Sequence, residues 1–202
     1  QGGISVSQLI RESANTTAIF FFTSLICFLS ISVLMALLFA CWPRLSIFGF
    51  WILGALACLP TPLLVTQLLR SGSSGGFWTV MFCHLSASIF IGVTLLFRQL
   101  CEEKRTPHYQ FSQAKGLSCF QSLKSHALPR SFLTLLGGLG FWFNCFIATS
   151  LITETSFSYP GLGRLFYDAL RSQELALCLG LILGMAFVHG ILASLRDLFA
   201  LG

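Results

Sequence analysis

The chain has 202 residues, of which 55% are hydrophobic and only 9% charged, with a formal net charge of +5. A water-soluble domain carries roughly a quarter charged residues, so this composition excludes a soluble fold and makes lipid the solvent for most of the surface. The positive balance does not point to nucleic acid either, because the basic residues are scattered and half of them fall in one loop.

Five apolar runs are each long enough to cross about 30 Å of hydrocarbon, which takes roughly 20 helical residues. They predict an all-α, polytopic membrane protein. Residues 1–17 read as an external segment ahead of a transmembrane domain over 18–202. The chain opens on Gln1 with no leader pattern before it, which leaves a fragment and a trimmed product equally open. The first span covers 18–41 and stops at Trp42-Pro43-Arg44. The second covers 45–69 and contains Leu59-Pro60-Thr61-Pro62. The missing proline donors predict a kink or break, tolerable in a membrane only against neighbouring helices or a wet cavity. Ser71-Gly72-Ser73-Ser74-Gly75-Gly76 reads as a hairpin between spans. The third span covers 77–97, the fourth 131–152 and the fifth 175–195.

The loop over 98–130 carries Arg98, Lys104, Arg105, Lys115, Lys124 and Arg130. The positive-inside rule places it in the cytoplasm together with Arg44 and Arg196, and leaves Arg11, Arg70, Arg164 and Arg171 outside. The N-terminus is then expected outside and the C-terminus inside.

Inside that loop, Tyr109 to Lys115 reads as a short helix stopped by Gly116. Ser118-Cys119-Phe120-Gln121 has capping-box spacing, so a second helix is predicted at once, ended by Leu128-Pro129. Phe111, Ala114, Leu117, Phe120, Leu123 and Ala127 recur at helical steps as one apolar stripe. A docking face and an interfacial helix lying on lipid headgroups both fit that stripe. In the loop over 153–174, Pro160-Gly161 reads as the centre of a type II turn with positive φ at the glycine. Leu162, Leu165, Phe166, Ala169 and Leu170 then give one face of a short helix opposite Arg164, Asp168 and Arg171. That helix either lines the outer mouth or lies on the surface.

The eight cysteines show no CxxC and mostly sit in or beside apolar runs, where Cys acts as a small hydrophobe; neither a disulfide nor a zinc site is predicted. No GxxxxGK[ST] is present, so no P-loop ATPase site is expected. His84 and His189 lie within spans. A helix–helix hydrogen bond is the leading explanation for them, and a pathway-lining role shared with Pro60 and Asn144 is the alternative. Gly180 and Gly184, with Gly137, Gly138 and Gly140, predict close helix packing. A rival class, an intramembrane redox enzyme, needs paired histidines at one depth, and His84 and His189 are predicted at different depths.

The two patterned loops carry a resemblance. The chain resembles the inner-membrane permease subunits of binding-protein-dependent ABC importers for dipeptides, oligopeptides and nickel, of the type I fold. Ala114-Lys115-Gly116-Leu117-Ser118 followed by His126-Ala127-Leu128-Pro129 looks like that family's EAA loop, although Gln110, Phe111 and Ser112 stand where the family has its acidic and alanine residues. Glu154-Thr155, Phe157, Tyr159-Pro160-Gly161-Leu162-Gly163-Arg164-Leu165 and Tyr167-Asp168-Ala169 resemble the external segment of the B-like subunit. Residues 4–17 look like the stretch before the family's second span; its first span and its Asp-Pro-Arg ending are absent. The resemblance implies a bacterial inner-membrane permease that pairs with a homologous subunit to pass peptide or nickel. It implies two cytoplasmic ATPase subunits that bind the ATP, an external solute-binding protein, and no cofactor or catalytic site in the chain itself. Ala114, Lys115, Gly116, Leu117, Ser118, Phe120, Leu123, Leu128 and Pro129 would then couple to the ATPases. Glu154, Phe157, Pro160, Gly161, Gly163 and Asp168 would shape the outer mouth.

Overall fold

A computed structural model describes residues 6–72 and 76–201. The first five residues of the expected external segment, Ser73-Ser74-Gly75 of the expected hairpin, Gly202 and the side chain of Arg196 lie outside that description. The described elements are helical throughout: α1 (Val6–Cys41), α2 (Pro43–Ala57), α3 (Thr61–Arg70), α4 (Phe77–Glu103), α5 (Pro107–Ala114), α6 (Cys119–Ser122), a π-helical turn (Leu123–Ala127), α7 (Leu128–Gly137), α8 (Leu139–Ser156), α9 (Leu162–Arg171) and α10 (Leu175–Leu201).

The apolar stretches of α1 and α10 are each long enough to cross a membrane alone. Three bent pairs bring the crossings to 5 if each pair is one span: α2 with α3, the two halves of α4, and Cys119–Gly137 with Leu139–Ser156. The expected break in the second span is present. The chain turns 81° between α2 and α3, with Pro60 as an extended N-cap and Pro62 in the first turn of α3, where a missing N–H costs no helical bond.

Two boundaries differ from the sequence reading. The helix that carries the first span starts ahead of residue 18: α1 runs unbroken from Val6 for 36 residues. No glycine or proline interrupts it, and the polar run Glu12 to Thr17 adds helical length ahead of the apolar stretch. Pro43 ends it by pushing Trp42 into the extended region, at φ −122 and ψ 91. The helix that carries the fourth span likewise starts ahead of residue 131, and Leu128-Pro129 does not end a helix. The helix passes through both residues because Leu123–Ala127 switches to a π turn, in which the Leu128 amide bonds the Leu123 carbonyl. That wider register accommodates Pro129, which has no amide to offer. The bend falls later, 52° about Gly138.

α1 is the mast of the fold, packed chiefly on α4. Phe20, Phe28, Ala36 and Ala40 of α1 meet Val80, Met81, Leu96 and Leu100 of α4, with Leu123, Leu135, Trp142 and Phe146 closing the core. Gly92 permits that approach: a Cβ there would lie 2.6 Å from both the Phe28 ring and the Ser32 hydroxyl. α10 is less embedded than α1, with 11% of its apolar window buried against 39%. Among the described residues of this chain, a Cβ at Gly180 or Gly184 would meet nothing within 4 Å, so the expected close packing does not form there within the chain. Of the other glycines, Gly140 does face α10, where an added Cβ would lie 3.6 Å from the His189 ring, and Gly138 marks the bend.

Candidate functional site

Two ordered clusters sit at opposite ends of α1. Thr17 belongs to one and Ala40 to the other; at roughly 1.5 Å per helical residue they are about 35 Å apart, a bilayer's thickness.

At the Thr17 end, α8 closes with Ser158 in the left-handed region at φ 58. The Tyr159 amide returns to the Glu154 carbonyl at 2.9 Å and the Phe157 amide to Thr153 at 2.9 Å, a Schellman-type stop. The reversal leaves the Glu154 carboxylate against the start of α9. Its Oε2 accepts from the amides of Gly163 at 2.7 Å and Arg164 at 3.3 Å. Its Oε1 accepts from the hydroxyls of Ser150 at 2.6 Å and Thr17 at 2.9 Å. The Thr17 oxygen in turn accepts from the Leu162 amide at 2.8 Å. One fully buried carboxylate and one hydroxyl thereby satisfy the first three amides of α9, which have no partners within a helix. They also join α1, α8 and α9 at one point. A buried carboxylate costs several kcal/mol unless hydrogen bonds replace its water, and four donors do so here.

This corrects the expected turn. Gly161 is extended, at φ −112 and ψ 178, so no type II turn with positive φ forms there. Glycine is required for space instead: a Cβ on Gly161 would lie 2.2 Å from Glu154 Oε2, and one on Gly163 2.9 Å from the same atom. Pro160 is exposed, Phe157 packs on the core, and Asp168 forms an exposed pair with Arg164 at 3.7 Å. Arg164 Nη1 also donates to the Ser158 carbonyl at 2.6 Å. Glu154, Gly161 and Gly163 are therefore brought together; Pro160 and Asp168 border them.

At the Ala40 end, α5 stops at Gly116 with φ +87. The Gly116 amide returns to Gln113 at 2.9 Å and the Leu117 amide to Ser112 at 3.4 Å. Ser118 and Gln121 then cap each other as expected, the Gln121 amide donating to the Ser118 hydroxyl and the Ser118 amide to Gln121 Oε1. The elbow is braced from behind. Tyr109, buried, donates to Cys119 Sγ at 3.4 Å and accepts from Gln113 Nε2 at 3.1 Å. Burial pushes its phenol above the ordinary value, and the Cys119 contact acts the same way. Lys104 Nζ donates to the Ala40 carbonyl, and Arg130 pairs with Glu103 at 3.8 Å.

The expected apolar stripe divides here. Phe111, Leu117 and Phe120 are exposed, at 64%, 36% and 44%, whereas Leu123 and Ala127 are buried in the core. Leu123 is therefore no docking knob; the π turn rotates it inward. Lys115 lies over the Phe111 ring at 4.6 Å, and Ala114, Lys115 and Ser118 are exposed around the elbow. Leu128 and Pro129 continue the helix rather than end it.

The four residues expected along a pathway are not brought together. His84 is buried between α4 and α8, stacked on Phe146 at 4.8 Å, with Nε2 3.4 Å from the Thr153 hydroxyl. His189 lies along Phe143 and Gly140, lower on α8. Asn144 and Pro60 are exposed. Thr17, Ser150, Tyr109 and Lys104 escaped the sequence reading as cluster members. Only Ser150 gave a local signal, four residues ahead of Glu154 on the same helical face.

A family model described as "Binding-protein-dependent transport system inner membrane component" matches residues 3–201. A protein of Brucella abortus (strain 2308), provisionally named a peptide transport system permease protein, is 27% identical over 100 residues, 50% of this chain and 32% of its own length. The dipeptide transport system permease protein DppB of Escherichia coli (strain K12) is 33% identical over 87 residues, 43% of this chain and 26% of its own. The putrescine export system permease protein SapB of the same strain is 32% identical over 90 residues, 41% of this chain and 28% of its own. The matched stretch thus spans a third or less of each relative's length.

Proposed function

Because the chain belongs to the family of binding-protein-dependent transport system inner membrane components, we propose that it is a permease subunit that pairs with a homologous subunit to enclose a pathway for peptides. It is a multi-pass membrane protein of that family. ATP is bound and hydrolysed by two separate subunits that dock at the Gly116 elbow, and the chain needs no catalytic site or cofactor of its own. An external binding protein delivers cargo at the α9 end. The excess of Lys and Arg around residues 98–130 supports the elbow as cytoplasmic and α9 as external. The name of DppB supports dipeptides as cargo.

The observation that carries this reading is the elbow. A rigid turn, capped on both sides, holds Phe111, Leu117 and Phe120 out of the protein, about 35 Å along α1 from a second ordered joint. An apolar helix face held outward in this way fits a groove on a partner. Phe111 and Phe120 both changed to Asp should leave insertion intact and thermal stability within about 0.5 kcal/mol of wild type, as exposed sites do. ATPase recovery with the affinity-purified chain, after co-expression, should fall at least tenfold. Equal recovery with both forms sinks the coupling role. Orientation is tested separately. A cysteine at Gln110 should react with an impermeant thiol reagent only in opened cells, and one at Asp168 in intact cells; the reverse pattern overturns the assigned sidedness.

A further inference from the structure

A slot of about 540 Å³ lies between α1, α8, α9 and α10, with almost wholly apolar walls. Gly180 and Gly184 line it from α10, so the space a Cβ would find empty at either glycine belongs to this slot. Its wall on α1 extends from Ile10 to Phe22, twelve residue steps or about 18 Å at 1.5 Å each. That is close to the hydrocarbon depth of one leaflet, half of roughly 30 Å. Spread over that length, 540 Å³ gives a mean section of about 30 Å², roughly 6 Å across. A helix with its side chains is about 10–12 Å wide and does not enter. A chain of single carbons, about 4 Å thick at van der Waals contact, does. The apolar slot adjoins a charged hollow. Ala14 and Ala18 line both the slot and a neighbouring space of about 750 Å³ bounded by Arg11, Glu12 and Asn15. All three of those side chains are exposed, and among the described residues Arg11 and Glu12 take part in no ion pair.

We propose that the slot holds one acyl chain of a phospholipid whose headgroup carries both a phosphate and a primary ammonium. Lipid is the solvent at this depth, so apolar space there fills with hydrocarbon unless protein enters, and the width of the slot excludes a helix. The headgroup then lies in the charged hollow. Its phosphate meets the Arg11 guanidinium, whose planar fork offers paired N–H donors to two oxygens. Its ammonium meets the Glu12 carboxylate, and a primary amine brings N–H donors that a quaternary one lacks. Asn15 has a donor and an acceptor for either group. Exposed charge pairs hold weakly in water, so the chain in the slot supplies the retention and the headgroup supplies the selection. The bound chain stands in for the side chains missing at Gly180 and Gly184. It thereby ties α10, of which little is buried, to α1 and α8. The site uses no residue of the elbow and does not depend on cargo or on ATPase docking.

The test uses the full chain, extracted from its own membranes in a mild detergent and read by native mass spectrometry. One phospholipid per chain is expected to survive detergent washing. Gly180→Leu combined with Gly184→Leu fills the slot and should cut retention at least fivefold without lowering the melting temperature. Gly190→Leu is the control, on the same helix, outside the slot and equally free of neighbours; it should retain the lipid. Equal retention in the filled and control variants overturns the proposal. A photoreactive benzoylphenylalanine at Met185, which lines the slot, should link to lipid in the washed protein. A link to a second protein overturns the proposal, because a helix then covers the slot. This arm decides the matter even if the double variant fails to insert. The headgroup is tested in nanodiscs of equal phosphatidylethanolamine and phosphatidylcholine. Lipid retained on re-extraction should be at least threefold enriched in the ethanolamine lipid, and Glu12→Gln should abolish that enrichment. Arg11→Gln should lower retention of both. Retention by the wild type in the ratio supplied overturns the headgroup assignment.

Discussion

At the Thr17 end of α1 the fixing atoms are buried and polar, whereas at the Ala40 end the side chains on display are exposed and apolar. Glu154 and Thr17 satisfy three α9 amides from helices far apart in sequence. The elbow instead holds its shape with bonds between near neighbours at Ser112 to Gln121 and leaves Phe111 and Phe120 without cover. The difference separates two kinds of order. A joint made by a buried carboxylate binds α9 to the scaffold, so α9 moves only with α1 and α8. A joint made by local caps keeps its form even if its neighbours shift, which suits a surface that must meet another protein.

The largest expected effect comes from removing the carboxylate. Glu154→Ala leaves buried amides and hydroxyls without their acceptor, at a cost of about 3 kcal/mol or more, and should lower the unfolding temperature in detergent. Glu154→Gln keeps one acceptor and should fall between it and wild type. A Glu154→Ala protein that melts like wild type would remove the distinction between the two ends.

A pair of glycines sharpens the comparison. Gly161→Ala drives a methyl into the Glu154 carboxylate and should cost about 1–3 kcal/mol, as overpacking does. Gly116→Ala meets no atom but must hold φ +87, at about 1 kcal/mol. Asparagine distinguishes the causes, because it tolerates the left-handed region but still carries a Cβ. Gly116→Asn should be nearly neutral and Gly161→Asn as damaging as alanine. Equal losses for the two asparagine variants would show that one mechanism serves both ends.

A smaller effect than that of Glu154→Ala is expected at Thr17. Thr17→Val removes one donor and one acceptor while keeping the shape, at about 1–2 kcal/mol, and Thr17→Ser should restore most of it. Protease nicking near α9 provides the readout. If valine and serine protect α9 equally, the hydroxyl plays no part in the joint.

Much of the molecule was legible in the order of its residues. Apolar runs of bilayer length, the Leu59-Pro60-Thr61-Pro62 break, the Gly116 stop and the Ser118–Gln121 capping box all appear where the sequence places them. Each depends on hydrophobicity over one span or on hydrogen bonds closing within about six residues, so a short window contains the whole cause. The same windows misread Gly161, Leu123 and Leu128-Pro129. At Gly161 the deciding atom is a carboxylate that the α8 reversal folds back onto it. At Leu123 a π turn rotates the side chain into a core built by α1 and α4. Thr17 lies 137 positions from the glutamate it serves. Nothing local marks a hydroxyl for a distant carboxylate, because the desolvation that makes the pair necessary exists only after the helices have packed. Sequence alone thus set the spans and the elbow; tertiary packing decided which side chains meet at the α9 joint and which of the elbow's apolar groups remain exposed.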